Sequence, residues 1–533
     1  MKKVSLLLLA AATATCAYAQ KNPTAVKFSQ YISVAETKKH LTILASDAFE
    51  GRETGKPGAK KAADYIAAQF KQLGLQAPVK GSYFLDVPLV ENAFKINTFN
   101  INGASLINGK DFYTTGSAEA KTIQASDVVF IGYGITDEKY DDLKGIDIAG
   151  KVVVYIGEGE PTKNGVSVIT GTTTKSPWSI TRGKRIQFLL GKRPALLLMA
   201  SPTVAINLSK YASSILAPNL TIKKGDAPAV SNDPIAINIT IDTFNKLLKS
   251  TGKTYAQLKA EIDSAGAPKT QVVKSDLNVA YANVSKDVKA VDVLGYLPGS
   301  DSKLKNEVLV ISAHYDHIGL EPEDKPGDRV NNGADDDGSG TTGILAIARA
   351  FTQAKKAGKG PKRSILFLGN VGEEKGLLGS EYYSDHPVFP LANTITNLNI
   401  DMIGRVDPAH KVLPDYCYLI GSDKLSTTLH KISERVNKTY TQLAIDYKYN
   451  DPNDPERIYY RSDHYNFAKH GIPIIFYFNG VHEDYHGLGD EVEKIDFPLL
   501  VKRAKLVYFT AWDLANRAYR PAVDVKSDMP AEK

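Results

Sequence analysis

Glu307-Val308-Leu309-Val310-Ile311-Ser312-Ala313 is a nearly unbroken apolar run, and His314-Tyr315-Asp316-His317 follows it directly. A run apolar on both faces predicts a strand buried in a parallel sheet. Ser364–Leu368, Thr396–Met402 and Ile472–Phe478 read the same way, and Thr342–Phe351 reads as a helix between strands. This alternation begins near residue 285. It predicts an α/β fold with a central, mostly parallel mixed sheet flanked by helices. A glycine, histidine or acidic cluster follows every strand. In open α/β sheets ligands gather at the carboxyl ends of strands, so the placement is itself a functional signal.

The clusters are chemically specific. Asn331–Thr341 reads Asn-Asn-Gly-Ala-Asp-Asp-Asp-Gly-Ser-Gly-Thr. Three adjacent carboxylates repel one another, and a dication is the simplest compensation. An acidic surface turn is the bland alternative for this stretch alone. Gly372-Glu373-Glu374-Lys375-Gly376, Asp401-Met402-Ile403-Gly404 and His482-Glu483-Asp484-Tyr485-His486 follow the later strands. Imidazoles and carboxylates without thiolates suit zinc or a neighbouring divalent ion. Five such groups suffice for two metals sharing a bridging carboxylate, and a sixth acid can serve as base.

The 533 residues exceed one domain, and 43% apolar with 23% charged residues is an ordinary globular composition. A net charge of +6, dispersed along the chain, excludes a nucleic-acid reading. Lys2 and Lys3, the apolar run Val4–Ala12 and Ala17-Tyr18-Ala19 have the form of a secretory leader, residues 1–19. The expected location is therefore periplasmic or secreted. Thr13-Ala14-Thr15 is a poor lipobox for anchoring through Cys16, and no stretch is long enough for a membrane span. Cys417 is the one other cysteine, so no internal disulfide and no thiolate metal site are expected.

Ala35–Leu44 and Ala59–Leu73 read as helices, the second stopped by Gly74, with a polar loop Ser46–Gly55 between them. Residues 116–280 change character. Short β-rich runs, one convincing helix at Ile241–Ser250 and no histidine suggest an inserted domain without catalytic chemistry. The expected organisation is 20–115 and 281–520 as one domain around that insertion. Residues 521–533 read as a loose polar tail.

Taken in order, His314-Tyr315-Asp316, Gly333–Gly340, Gly372–Ser380, Asp401–Gly404, Ser462-Asp463-His464 and Tyr485-His486 with Asp490 resemble the motifs of the zinc peptidases of family M28. Ser46–Leu75 resembles the family's opening, and the middle segment resembles a protease-associated (PA) domain insertion. The resemblance implies two zinc ions per chain. His314 and Asp401 would bind one, Glu374 and His486 the other, and Asp336 would bridge them. It implies Glu373 as the general base acting on a metal-bridging water, Asp316 as the group orienting His314, and Tyr485 as a donor to the developing oxyanion. His317 and His482 are alternative ligands, and His464 is expected to support packing.

The first functional reading is an aminopeptidase acting on peptides with a free N-terminus. A carboxypeptidase on the same metals would need a cationic pocket, for which Arg405 and Arg461 are candidates. A one-zinc cyclase disagrees with the full ligand set, and so does a binding protein of this fold that has lost its metals. No G-x-S-x-G elbow near a strand end supports a serine hydrolase.

Overall fold

The computed structural model describes residues 21–114, 118–181, 183–223, 225, 234–323 and 325–530. The expected leader and its cleavage site lie outside them. The chain divides into two compact units. One joins the chain up to Pro88 with the chain from Val288 onward, and the other is Leu89–Asp287.

The first unit is built on a mixed sheet whose strands are β1 (Gln271–Leu297, through its last residues), β2 (Val308–His314), β3 (Ser364–Asn370), β4 (Thr394–Ile400), β5 (Tyr416–Ile420), β6 (Ala444–Asp446) and β7 (Ile474–Phe478). Their order is β6-β5-β7-β4-β2-β3-β1. The pairs β3-β2, β2-β4 and β4-β7 are parallel, as is β5-β6. Antiparallel pairing joins β1 to β3 and β5 to β7. Every residue of β2, β3 and β4 is buried; β2 and β3 read as apolar runs, whereas β4 buries Thr394, Thr396, Asn397 and Asn399 among its apolar residues.

The flanking helices are α1 (Pro23–Ser29), α2 (Val34–Leu44), α3 (Pro57–Leu73), α4 (Gly340–Lys356), α5 (Leu378–Asp385), α6 (Thr427–Val436), α7 (His464–Lys469) and α8 (Phe497–Asn516). Val308 and Val310 of β2, with Leu366 and Leu368 of β3, share a core with Tyr383 of α5 and Phe467 of α7. Phe351 of α4 stacks on Trp512 of α8, with ring centroids 5.6 Å apart. Helix α3 starts on Pro57 and ends at Gly74, whose φ of 83° only a glycine adopts freely.

The second unit has its own sheet. Its order is Gln271–Leu297 (by its early residues), Lys121–Phe130, Val152–Ile156, Leu196–Ala200, Ala236–Ile239 and Phe112–Thr114, with parallel pairing among the middle four. It carries more helix than the sequence suggests: Lys184–Gly191, Pro202–Leu216 and Tyr255–Ala265 besides Ile241–Leu247. The signals are local caps. Ser201 caps the helix begun by Pro202, and Thr254 with Gln257 forms a capping box.

The end of the chain corrects a second expectation. Residues up to Pro530 are anchored on the first unit rather than loose. Arg520 donates to the carbonyls of Ala392 and Thr394, and Asp528 pairs with Lys424. Among the described residues no helix is long and apolar enough to cross a membrane.

Gly58 lies where α3 meets the turn Asp47–Arg52, and a Cβ there would stand 2.0 Å from the Phe49 carbonyl oxygen. Backbone cannot step aside as a side chain can. Gly58→Ala is therefore expected to cost about 1–3 kcal/mol despite its better helix propensity. Urea unfolding of the two proteins checks this, and equal midpoints would mean that the turn is not rigid.

Candidate metal centre

The carboxyl ends of β2, β3 and β4 converge with two loops. His314 is the last residue of β2, Glu373 and Glu374 follow β3, and Asp401 follows β4. The loop after β7 brings His486, whose φ is 53°. The Asp335–Asp337 triplet lies in the turn that opens α4, and its Asp336-Asp337 peptide is cis.

Asp336 stands at the middle. One of its oxygens, Oδ1, is 3.3 Å from His314 Nε2, and Oδ2 is 3.2 Å from His486 Nε2. Asp401 Oδ1 is 3.6 Å from His314 Nε2, and Glu374 Oε2 is 3.0 Å from His486 Nε2. A tetrahedral ion with ligand bonds of 2.0–2.1 Å holds its ligand atoms about 3.3 Å apart. The four separations suit two such ions on either side of Asp336. His314 Nε2 and Asp336 Oδ2 are also buried without a hydrogen-bond partner. These residues therefore fit small divalent cations, and all five expected ligands meet.

Electrostatics point the same way. Burial pushes Glu373 well above the usual carboxylate range, and nearby Asp401 and Glu374 add to this against the opposing His314. Burial also raises Asp401. Burial would likewise raise Asp336, but the imidazoles of His314 and His486 close to its two oxygens hold it far below. Burial and Asp336 push Glu374 up, yet His317 and His486 bring it down to about 2. His486 rises to about 10, because Asp336 and Glu374 outweigh the burial that lowers it. The imidazoles act here as the nearest available cations for a crowd of acids.

The remaining residues hold this set in place. Ser462 donates to Asp401 Oδ2 at 2.6 Å, so its other oxygen faces His314. Asp316 accepts from the Thr54 hydroxyl and the Glu373 N–H. Its carboxylate is 3.7 Å from His314 Nδ1, too long for a hydrogen bond, whereas its backbone carbonyl is at 3.1 Å. Asp316 thus meets His314 through its main chain. Asp335 and Asp337 bind backbone: Asp335 accepts from Gly404 N, and Asp337 from Met402 N and Gly340 N. Arg405 pairs with Asp484.

The alternative histidines separate. His317 Nδ1 lies 2.8 Å from Glu374 Oε1, inside the same cluster as Asp336. His482 turns to Asp335 Oδ2 at 3.3 Å instead. Buried His464 faces the Tyr459 carbonyl and stacks on Phe476, and burial lowers it to about 3. It is a neutral packing group, as expected.

Two supporting roles are not visible in the sequence, although Asp490 stands in one of its motifs. Arg52, fully buried, donates to the carbonyls of Leu44, Tyr315, Asn332 and Gly333. Asp490 accepts the N–H groups of Asp335 and Asp336 at 3.0 Å. Together they clamp the triplet's main chain. Arg52 stands in the loop Ser46–Gly55, whose polarity gave no sign that one guanidinium turns inward.

Beside the acids lies a small pocket lined by Met402, Ile458, Phe476, Phe478, Val481, Arg461 and Tyr485, with Asp336, Glu373 and Asp401 at its acidic end. Arg461 donates to the Tyr485 hydroxyl at 3.2 Å.

Residues 292–511 match the model described as Peptidase family M28. Over that segment the chain is similar to peptidase family M28. It is similar to a probable leucine aminopeptidase of Trichophyton verrucosum, 28% identical over 295 residues, which are 54% of this chain and 74% of that protein. A probable leucine aminopeptidase of Arthroderma otae is 26% identical over 67% of this chain and 94% of its own. Among solved structures, an aminopeptidase from Aneurinibacillus sp. strain AM-1 shares the fold of this chain. Its TM-score is 0.55 at 18% identity, covering 96% of this chain and all of that one.

Arg52→Met removes a cation bound to four carbonyls. Each carbonyl left buried and unpaired costs about 1–3 kcal/mol. The variant is expected to lose at least about 3 kcal/mol in urea unfolding. A loss under about 1 kcal/mol would mean that the clamp is redundant.

Proposed function

We propose that the chain is a zinc-dependent exopeptidase that removes N-terminal residues from peptides, with two zinc ions. The observation that carries this is the division of Asp336, whose two oxygens face two different imidazoles, while Glu373 clusters with His314 and Asp401 but stands 3.9 Å from His314 Nε2, farther than either Asp336 or Asp401. His314 and Asp401 would hold one ion, Glu374 and His486 the other, with Asp336 between. Zinc, when bound, supplies Lewis acidity and makes water nucleophilic near neutral pH. The protein's own groups do the rest. Glu373, raised by burial, takes the proton of the attacking water and passes it to the leaving amine. Tyr485 accepts a hydrogen bond from Arg461, which leaves its own hydroxyl proton free for the developing oxyanion. The apolar wall of Met402, Ile458, Phe476, Phe478 and Val481 favours an apolar N-terminal side chain, and the acids favour a free amine.

A carboxypeptidase reading keeps one support. Arg461 reaches the pocket and can meet a carboxylate, whereas Arg405 is already engaged by Asp484. Peptides free at both ends, N-acetylated and C-amidated distinguish the two. Loss of cleavage on acetylation alone is the expected result, and loss on amidation alone would overturn the aminopeptidase reading.

Glu373→Gln is expected to keep both metals and lose on the order of 10²–10⁴-fold in kcat. Asp336→Ala is expected to lose metal as well as activity. Undiminished kcat in the first variant, or two retained zinc ions in the second by elemental analysis, would contradict these roles.

A further inference from the structure

Ile458–Tyr460 is a single 3₁₀ turn, and Ile458 and Arg461 at its edge line the pocket. A turn this short does not fix its own position. What lies against it is the end of the chain. The Tyr460 hydroxyl donates to the Pro530 carbonyl. Met529 packs against the core that holds Ile458 and Tyr459.

The segment is itself anchored away from the pocket. The Asp524 N–H donates to the Leu425 carbonyl, and its carboxylate takes the Thr427 N–H at 2.8 Å and the Thr427 hydroxyl. Asp528 Oδ1 pairs at 2.9 Å with Lys424 Nζ, whose side chain is only 7% exposed. Asp528 itself is 60% exposed, so solvent screens this pair and it adds a modest tether beside the Asp524 contacts.

We propose that Asp524–Pro530 is a strap that positions the pocket wall Ile458–Arg461. Met529 is its central positioning residue. The strap sets how tightly the pocket grips the substrate side chain and takes no part in the bond-breaking step. The substrate half of this inference rests on the exopeptidase reading.

The test compares the full chain with a chain stopped after Val523, and with Met529→Ala and Met529→Leu. Amide hydrogen exchange at Ile458–Arg461 is expected to quicken by about ten-fold or more in the truncated chain, with β2 unchanged. KM for a peptide with an apolar N-terminal residue is expected to rise about five-fold or more, with kcat within about two-fold. Zinc content stays that of the parent. Met529→Ala moves both readouts part of the way and Met529→Leu restores them. Unchanged exchange and KM would overturn the strap, as would a parallel fall in kcat and zinc content, which marks general destabilisation. If the parent cleaves no peptide, the exopeptidase reading fails, and the exchange comparison alone still decides the strap.

Discussion

Too many carboxylates meet in too little space. Asp336, Asp337, Glu373, Glu374 and Asp401 lie together at the ends of three parallel strands, and Asp463 lies buried beside them. Uncompensated buried charge is among the costliest things a fold can contain. Backbone N–H groups satisfy Asp337, and Ser462 satisfies half of Asp401. For Asp336 and Glu374 the nearby partners are imidazoles. Their spacing leaves room for cations and for little else.

Much of the first unit serves to make that crowding tolerable. The parallel strands carry the groups to one edge. Arg52 and Asp490 fix the main chain of the triplet from opposite signs of charge. Arg503 of α8, also buried, donates to the carbonyls of Ile403 and Arg405 just past Asp401. Cations thus bind carbonyls, anions bind N–H groups, and neither is spent on the acids that face the pocket. That division leaves Glu373 free to titrate.

Most of the parallel core was legible because burial on both faces writes long apolar runs, and the candidate ligands were legible because each polar cluster follows a strand of that core. Other features were not. The strands Tyr416–Ile420 and Ala444–Asp446 are short and lie at the end of the sheet, where pairing of the first with β7 and of the second with the first, rather than local pattern, makes them strands. Arg52 and the carbonyls of Asn332 and Gly333 are far apart in sequence, and no local pattern announces that meeting. The same holds for His317, whose partner Glu374 comes from another strand end. Lys424 and Asp528 likewise meet only through the fold, so the end of the chain looked unattached.

The central claim is that Asp336 bridges two metal ions. Anomalous diffraction at the zinc absorption edge, on crystals of the zinc-loaded protein, tests it most directly. Two peaks about 3.5–4 Å apart are expected, one beside His314 and Asp401 and one beside Glu374 and His486, with Asp336 touching both. A single peak, or a second one that Asp336 does not reach, would contradict it.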